Sequence, residues 1–113
     1  MGVVTDVAVS SGDLFLVALN PTRGQEIRKT RPCVFVSPDE LNAHMGTFIV
    51  APLTTGAHPY PFRVPCLFQG KGGHVVPDQL RRVDRERLVQ RLGILPNDTL
   101  FQLLTILQAM FAV

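Results

Sequence analysis

The sequence predicts a mainly β fold, a small and strongly bent barrel or half-barrel followed by one terminal helix. Five to seven short apolar, β-branched or aromatic runs are separated by Pro, Gly, Asn and Asp turn signals. No strand–helix–strand alternation links them, which argues against a parallel α/β sheet. After Pro96 the pattern changes to a helical one, with Thr99, Gln102, Thr105 and Gln108 recurring every third residue among apolar neighbours.

The runs follow one another with clear punctuation. Residues 1–11 have no strong periodicity and are expected to form a loosely ordered arm ahead of a single domain over 12–113. Ser11-Gly12-Asp13 is turn chemistry before the strand Leu14–Leu19, which Asn20-Pro21-Thr22 stops. A polar loop over 22–30 leads into the strand Arg31–Ser37, with Pro32 biasing Arg31 towards an extended backbone. Ser37-Pro38-Asp39-Glu40 reads as the capped start of a short helix that Met45-Gly46 ends.

A third strand, Thr47–Ala51, is expected to close at Pro52. Phe62–Pro65 alternates like an edge strand, and Gln69–Gly73 reads as a flexible turn. His74–Val76 and Gln79–Val83 are strand-like on either side of Pro77. Asp84–Arg87 suits one helical turn before a last strand, Leu88–Leu92, that Gly93 ends. The final helix, Thr99–Phe111, starts from a cap at Asn97 or Asp98. Its polar stripe is too narrow for a surface helix, which predicts a homodimer that covers this helix or the apolar surface beside it.

Composition sets outer bounds. With 113 residues, 46% of them hydrophobic and 18% charged, the chain is long enough for one domain with a core and too apolar for intrinsic disorder. The net charge of +2 is mild, but the cations cluster. Arg23, Arg28, Lys29 and Arg31 form one patch, and Arg81, Arg82, Arg85, Arg87 and Arg91 form another. Only Lys29 and Lys71 are lysines, and arginine's planar fork is the better grip on phosphate. Cys33 and Cys66 sit in apolar runs without a CxxC pattern and read as reduced, unreactive thiols. The N-terminus lacks a secretory pattern and no stretch is long enough to span a membrane, so a soluble, cytoplasmic protein is expected.

Few residues are arranged for chemistry. His44, His58 and His74 have no neighbours at metal-ligand spacing, and no metal site is expected. His58 belongs to a loop that also carries Tyr60, the obvious aromatic for stacking a base. Neither a nucleophile elbow nor a phosphate loop occurs. What remains is Arg31 at the root of one strand, and Thr54 with Thr55 just past the end of another. Gln25 and Glu26 lie in the cationic loop, and Gln79 and Arg81 beside the second basic run. An arginine with a hydroxyl suits an anionic, phosphoryl-type transition state. A solvated strand-end charge is the alternative for Arg31.

The order of several blocks adds to this. Gly12-Asp13-Leu14, Asn20-Pro21-Thr22-Arg23-Gly24-Gln25-Glu26, Arg31-Pro32-Cys33-Val34-Phe35-Val36-Ser37-Pro38, Ala51-Pro52-Leu53-Thr54-Thr55, Tyr60-Pro61-Phe62, and Asp78-Gln79 with Val83-Asp84 together resemble the MazF/PemK/Kid toxin endoribonucleases. The resemblance runs from about Gly12 into the terminal helix. It implies an SH3-like small β-barrel with a C-terminal α-helix, a homodimer, and cofactor-free, metal-independent cleavage of single-stranded RNA. In that chemistry the ribose 2′-hydroxyl attacks the adjacent phosphate and leaves a 2′,3′-cyclic phosphate and a 5′-hydroxyl.

The resemblance carries the catalytic roles to Arg31 and Thr54, and substrate contacts to Arg23, Gln25, Glu26, Arg28, Lys29, Thr55, His58, Tyr60, Gln79 and Arg81. It also implies an antitoxin partner whose acidic, disordered tail covers the RNA groove. Relatives place an aromatic where Leu16 stands, acids where Ala18 and Asn20 stand, and often Ser at Gln25, so loop contacts and cleavage preference are expected to differ. Two other readings stand beside this one: a barrel toxin that binds a protein target such as gyrase, and an inactive nucleic-acid-binding homologue. A target-binding barrel has no need for both Arg31 and Thr54 at the rims of two strands.

Overall fold

In the computed structural model, which describes residues 8–19, 30–44, 46–55 and 62–113, the described residues form seven strands and two helices. Their order is β1 (Asp13–Ala18), β2 (Thr30–Phe35), α1 (Asp39–His44), β3 (Thr47–Thr54), β4 (Val64–Phe68), β5 (Lys71–Val75), β6 (Arg81–Asp84), β7 (Leu88–Ile94) and α2 (Asn97–Met110). Short 3₁₀ turns, Pro77–Gln79 and Arg85–Arg87, bracket β6. The strands pair antiparallel in the order β4-β5-β3-β2-β1-β7, with β6 attached to β3. The curled sheet and terminal helix match the mainly β half-barrel expected.

β3 is the strand through which the sheet is joined. On one edge Val50–Pro52 face Phe35–Cys33 of β2. On the other edge Thr47–Val50 face Asp84–Arg81, and Leu53–Thr54 face Val75–His74. Pro52 was expected to end this strand, yet the strand continues through it. Its carbonyl still accepts the Val76 N–H at 2.9 Å, so the acceptor side of the ladder survives the missing N–H.

The glycine-rich stretch is also more regular than composition suggests. The expected flexible turn Gln69–Gly73 is a two-residue turn, Gln69-Gly70, with Phe68 opposite Lys71. Both turn residues have positive φ (52° and 79°), the twist that joins two antiparallel strands tightly. Gly72 and Gly73 lie in β5. Gly73 is there for space: a Cβ added to it runs into the Thr54 carbonyl oxygen and comes within 3.4 Å of Thr55 Cα. β7 likewise continues past Gly93 to Ile94, where a stop was expected.

Both faces of the central strands are covered, which explains why β1 reads as an unbroken apolar run. On one side Phe15, Val17, Cys33, Phe35, Phe48, Val50 and Leu88 cluster. Their three rings are tilted at centroid distances of 5.2 Å (Phe15–Phe35) and 5.0 Å (Phe35–Phe48). On the other side Leu14, Val34, Ala51, Leu53, Val64 and Val75 meet Leu103 and Leu107 of α2. Helix α2 begins at Asn97, with Pro96 at the cap position, so Asn97 and Asp98 lie inside its first turn and do not cap it. Phe101 and Phe111 remain largely exposed, as do Ile94 and Leu67.

Polar groups pin the ends of the strands. Of the arm expected over residues 1–11, the described residues 8–11 are anchored: Val9 is buried, Ala8 accepts a hydrogen bond from Arg91, and the Ser11 amide donates to Asp39. Buried Asp13 pairs with Arg91 at 3.1 Å and accepts the Ser10 N–H. Ser37 does not cap α1 in the expected way. Its hydroxyl donates to Asn42 Oδ1 at 2.6 Å and accepts the Ile49 N–H, tying α1 to β3 from a buried position.

Burial pushes the Cys33 thiol up to about 12 against the opposing pull of Arg81 and Arg31, while burial of Cys66 raises it as well. Cys33 in the unfolded chain ionises near 9.0, whereas the folded thiol keeps its proton to about 12. Its contribution to stability is therefore complete below pH 9 and is lost as pH rises towards 12, by about 1.4 kcal/mol per unit at most. Urea unfolding of Cys33→Ala should show a shallower loss of stability above pH 9 than the parent, by up to one proton. Parallel profiles would contradict it. Separately, Gly73→Ala is expected to cost about 1–3 kcal/mol and to move the amide resonances of Thr54 and Thr55. Gly72→Ala, which meets open space, should do neither; equal behaviour of the two variants would rule out the close approach as a constraint.

Candidate active site

Two strand ends bring the predicted groups together. Arg31 is the second residue of β2, opposite Val17, and its side chain is exposed. The backbone there is fixed by the ladder to β1 and by Pro32. The Arg31 carbonyl accepts the Cys33 thiol at 3.6 Å. Thr54 is the last residue of β3, half-buried and paired with His74 of β5, and Thr55 follows it into solvent. Thr54 was expected just past a strand end; instead the ladder itself holds it, because β3 runs on through Pro52.

Arg31, Thr54 and Thr55 line one open cleft of about 780 Å³. Its walls are Pro32 and Leu53 on one side and Cys66, Phe68, Lys71 and Gly73 of the β4–β5 hairpin on the other. A second cleft of about 510 Å³ lies on the far side of Arg31 and contains Gln79 and Arg81, together with Arg82 and Pro52. Arg31 is the one described residue that lines both. Gln79 ends the 3₁₀ turn and Arg81 opens β6 opposite Val50. Five predicted residues, Arg31, Thr54, Thr55, Gln79 and Arg81, thus share one continuous surface. Arg23, Gln25, Glu26, Arg28, Lys29, His58 and Tyr60 lie outside the described residues.

Sequence reading missed part of the wall. Reading Gln69–Gly73 as a flexible turn leaves out Lys71 and Gly73, and Phe68 stands just before it. The signal available was a two-residue Gln-Gly turn between two strand-like runs. Arg82 was placed only in a general basic run, although it lines the second cleft. His74 and Cys66 line a further groove behind Thr55, with Asp98 and Thr99 at the start of α2.

The chemical capacity of the surface follows from its groups. Arg31 and Lys71 stand on the cleft that Thr54 and Thr55 line, and three guanidiniums on the adjoining one, which suits binding of a phosphate and stabilisation of added negative charge on it. Among the described residues lining either cleft, none is a carboxylate or an imidazole. Among the described residues, no group of three or more His, Cys, Asp or Glu is placed to hold a metal ion, and no helix is long and apolar enough to cross a membrane.

Known proteins with this architecture point the same way. The Escherichia coli (strain K12) endoribonuclease toxin MazF is 36% identical over 72 residues, which is 64% of this chain; the chain spans 65% of that relative's length. Endoribonuclease MazF9 of Mycobacterium tuberculosis is 34% identical over 102 residues, covering 81% of this chain and 86% of the relative. The crystal structure of Deinococcus radiodurans MazF superposes with a TM-score of 0.79 at 29% identity, covering 96% of this chain and all of that one. A MazE–MazF structure from the same organism gives 0.82 at 29% identity, covering 93% of this chain and 96% of the other. Residues 10–111 match the profile of the PemK-like, MazF-like toxins of type II toxin–antitoxin systems, and the chain belongs to that family.

Proposed function

We propose that this chain is the toxin of a type II toxin–antitoxin pair and acts as a metal-independent endoribonuclease on single-stranded RNA in the cytoplasm. The observation that carries the reading is the joint presentation of Arg31 and Thr54 by two ladder-held strand ends on one open cleft. The scissile phosphate sits between them. The ribose 2′-oxygen attacks phosphorus, the P–O5′ bond breaks, and the products are a 2′,3′-cyclic phosphate and a 5′-hydroxyl.

A guanidinium donates hydrogen bonds and has no acceptor, so the role of Arg31 is to neutralise the growing charge on the phosphoryl oxygens and to hydrogen-bond the departing 5′-oxygen. Thr54 contributes a neutral hydrogen bond to the reacting phosphate. The 2′-hydroxyl proton goes to water or to a side chain outside the described walls, with Glu26 as the candidate, and the departing 5′-oxygen takes its proton from water. Thr55, Gln79 and Arg81 hold the flanking chain, and Arg23, Gln25, Arg28, Lys29, His58 and Tyr60 of the two loops supply the remaining contacts.

The partners belong to the same reading. The Deinococcus radiodurans neighbour bound to MazE supports an antitoxin for this chain, and the cationic clefts suit an acidic tail. The exposed Phe101, Phe111 and Ile94 support a homodimer, since a monomer leaves these large apolar groups in water.

Incubation of the purified protein with a long mixed RNA in EDTA should yield 2′,3′-cyclic phosphate ends. Arg31→Ala is expected to lower the rate by about 10²–10³-fold, and Thr54→Val by about tenfold. Loss of cleavage in EDTA would overturn metal independence, and an Arg31→Ala protein as fast as the parent would remove Arg31 from the reaction. Intact RNA with inhibited gyrase would favour a protein-binding toxin. Sedimentation at high micromolar concentration should report a dimer, and a monomer there would refute the association.

A further inference from the structure

We propose that the cleft between Arg31, Gln79, Arg81 and Arg82 is a second phosphate subsite, which holds the diester next to the scissile one on the side away from Thr54. The inference rests on the ribonuclease reading for its choice of nucleic acid over other anions. It adds Arg82 to the site and fixes the course of the strand across Arg31.

The first support is the way the arginines are used. Arg91 is taken up by Asp13, by the Ala8 carbonyl and by the Phe15 ring 4.8 Å away. Arg85 lies over the Phe48 ring at 5.1 Å, and Arg63 stands 3.9 Å from Asp78. Arg31, Arg81 and Arg82 make no such side-chain contact with any described residue, and all three gather on the one cleft of about 510 Å³. The described lining contains no acid to neutralise them. Three forks of fixed charge around a space of that size, with the Gln79 amide at its edge, fit an anion with several acceptor oxygens.

Continuity selects the occupant. Arg31 lines both clefts, so a strand whose scissile phosphate rests between Arg31 and Thr54 passes directly into the second cleft. A phosphodiester backbone places another anion there with each nucleotide. An acidic peptide carries the same charge, and a polyglutamate probe separates it from nucleic acid in the test. Arg81 and Arg31 both also act on the buried Cys33 thiol, opposing the rise that burial causes.

The test uses single-stranded DNA, a fluorescein-labelled 20-mer of mixed sequence, which has the phosphates and lacks the attacking hydroxyl. Affinity is measured by anisotropy from 0.05 to 0.3 M salt for the parent, Arg82→Ala, Arg82→Gln and Arg87→Ala, each checked for folding by circular dichroism. Arg87 lines neither cleft. Both Arg82 variants should bind about 5–10-fold more weakly at 0.1 M salt, with the slope of log K against log salt smaller by about 0.7; Arg87→Ala should keep the parent slope. An unchanged slope in the Arg82 variants, or an equal fall in Arg87→Ala, overturns the subsite. So does a polyglutamate 20-mer that loses affinity with Arg82→Gln when the DNA does not. Parent cleavage of a long RNA is scored in parallel. A parent that cleaves while Arg82 variants bind normally defeats the subsite alone; a parent that binds through Arg82 but never cleaves defeats the ribonuclease reading alone.

Discussion

The candidate site depends on β3 serving two partners along a single edge. Its first half is paired to β6 and its second half to β5, while β2 holds the other edge. That arrangement sets Arg81 opposite Val50 and Thr54 opposite His74 on one continuous backbone, with Arg31 reached through β2. A slip of one residue would exchange Thr54 with buried Leu53 and point the hydroxyl into the core. Such a slip is opposed by Phe48, Ile49 and Val50, which alternate buried, exposed and buried. It is opposed also by Gly73, whose missing side chain lets β5 close against Thr54.

The rigid part of the site is built from apolar packing, and its polar pins are few and buried. Ser37, Asn42 and Ile49 satisfy one another beneath α1, and Asp13 meets both Arg91 and the Ser10 amide at the start of β1. Each of these would be costly to break, because one buried partner would be left unpaired at about 1–3 kcal/mol. Neither network reaches the clefts. The strand ends are therefore held from behind, and the groups facing solvent remain available to a ligand.

Much of this was legible in the residues themselves. Apolar runs between turn signals gave the strands, because each buries side chains that water would not tolerate. The position of Arg31 at a strand root followed from Pro32 and the Cys33–Phe35 run. What was not legible depended on neighbours distant in sequence. Pro52 looked like a stop because its lost N–H was visible and the Val76 amide that keeps its carbonyl bonded was not. Gly73 looked flexible because the strand it must pass, β3, lies some twenty residues earlier. Arg82 could not be separated from Arg85 or Arg91 until the rings of Phe48 and Phe15 were seen beneath those two. Cap positions failed for a related reason: Ser37 was drawn into a buried pair with Asn42.

The same sorting explains how a chain with a net charge of only +2 presents a strongly cationic surface. Asp13 and Asp78 face Arg91 and Arg63, so those charges largely cancel where they stand. Fields from exposed charges fade over a screening length of about 8–10 Å, so a ligand responds to the cations beside it and hardly to the sum. The guanidiniums at Arg31, Arg81 and Arg82 pair with no described carboxylate, and they meet on one cleft. Arginine suits this division of labour because its fork serves equally well over a ring, against a carboxylate or around a phosphate. Which of those uses each arginine takes is decided by the tertiary position of its strand, and in this fold β2 and β6, the partners on the two edges of β3, deliver Arg31, Arg81 and Arg82 to the cleft.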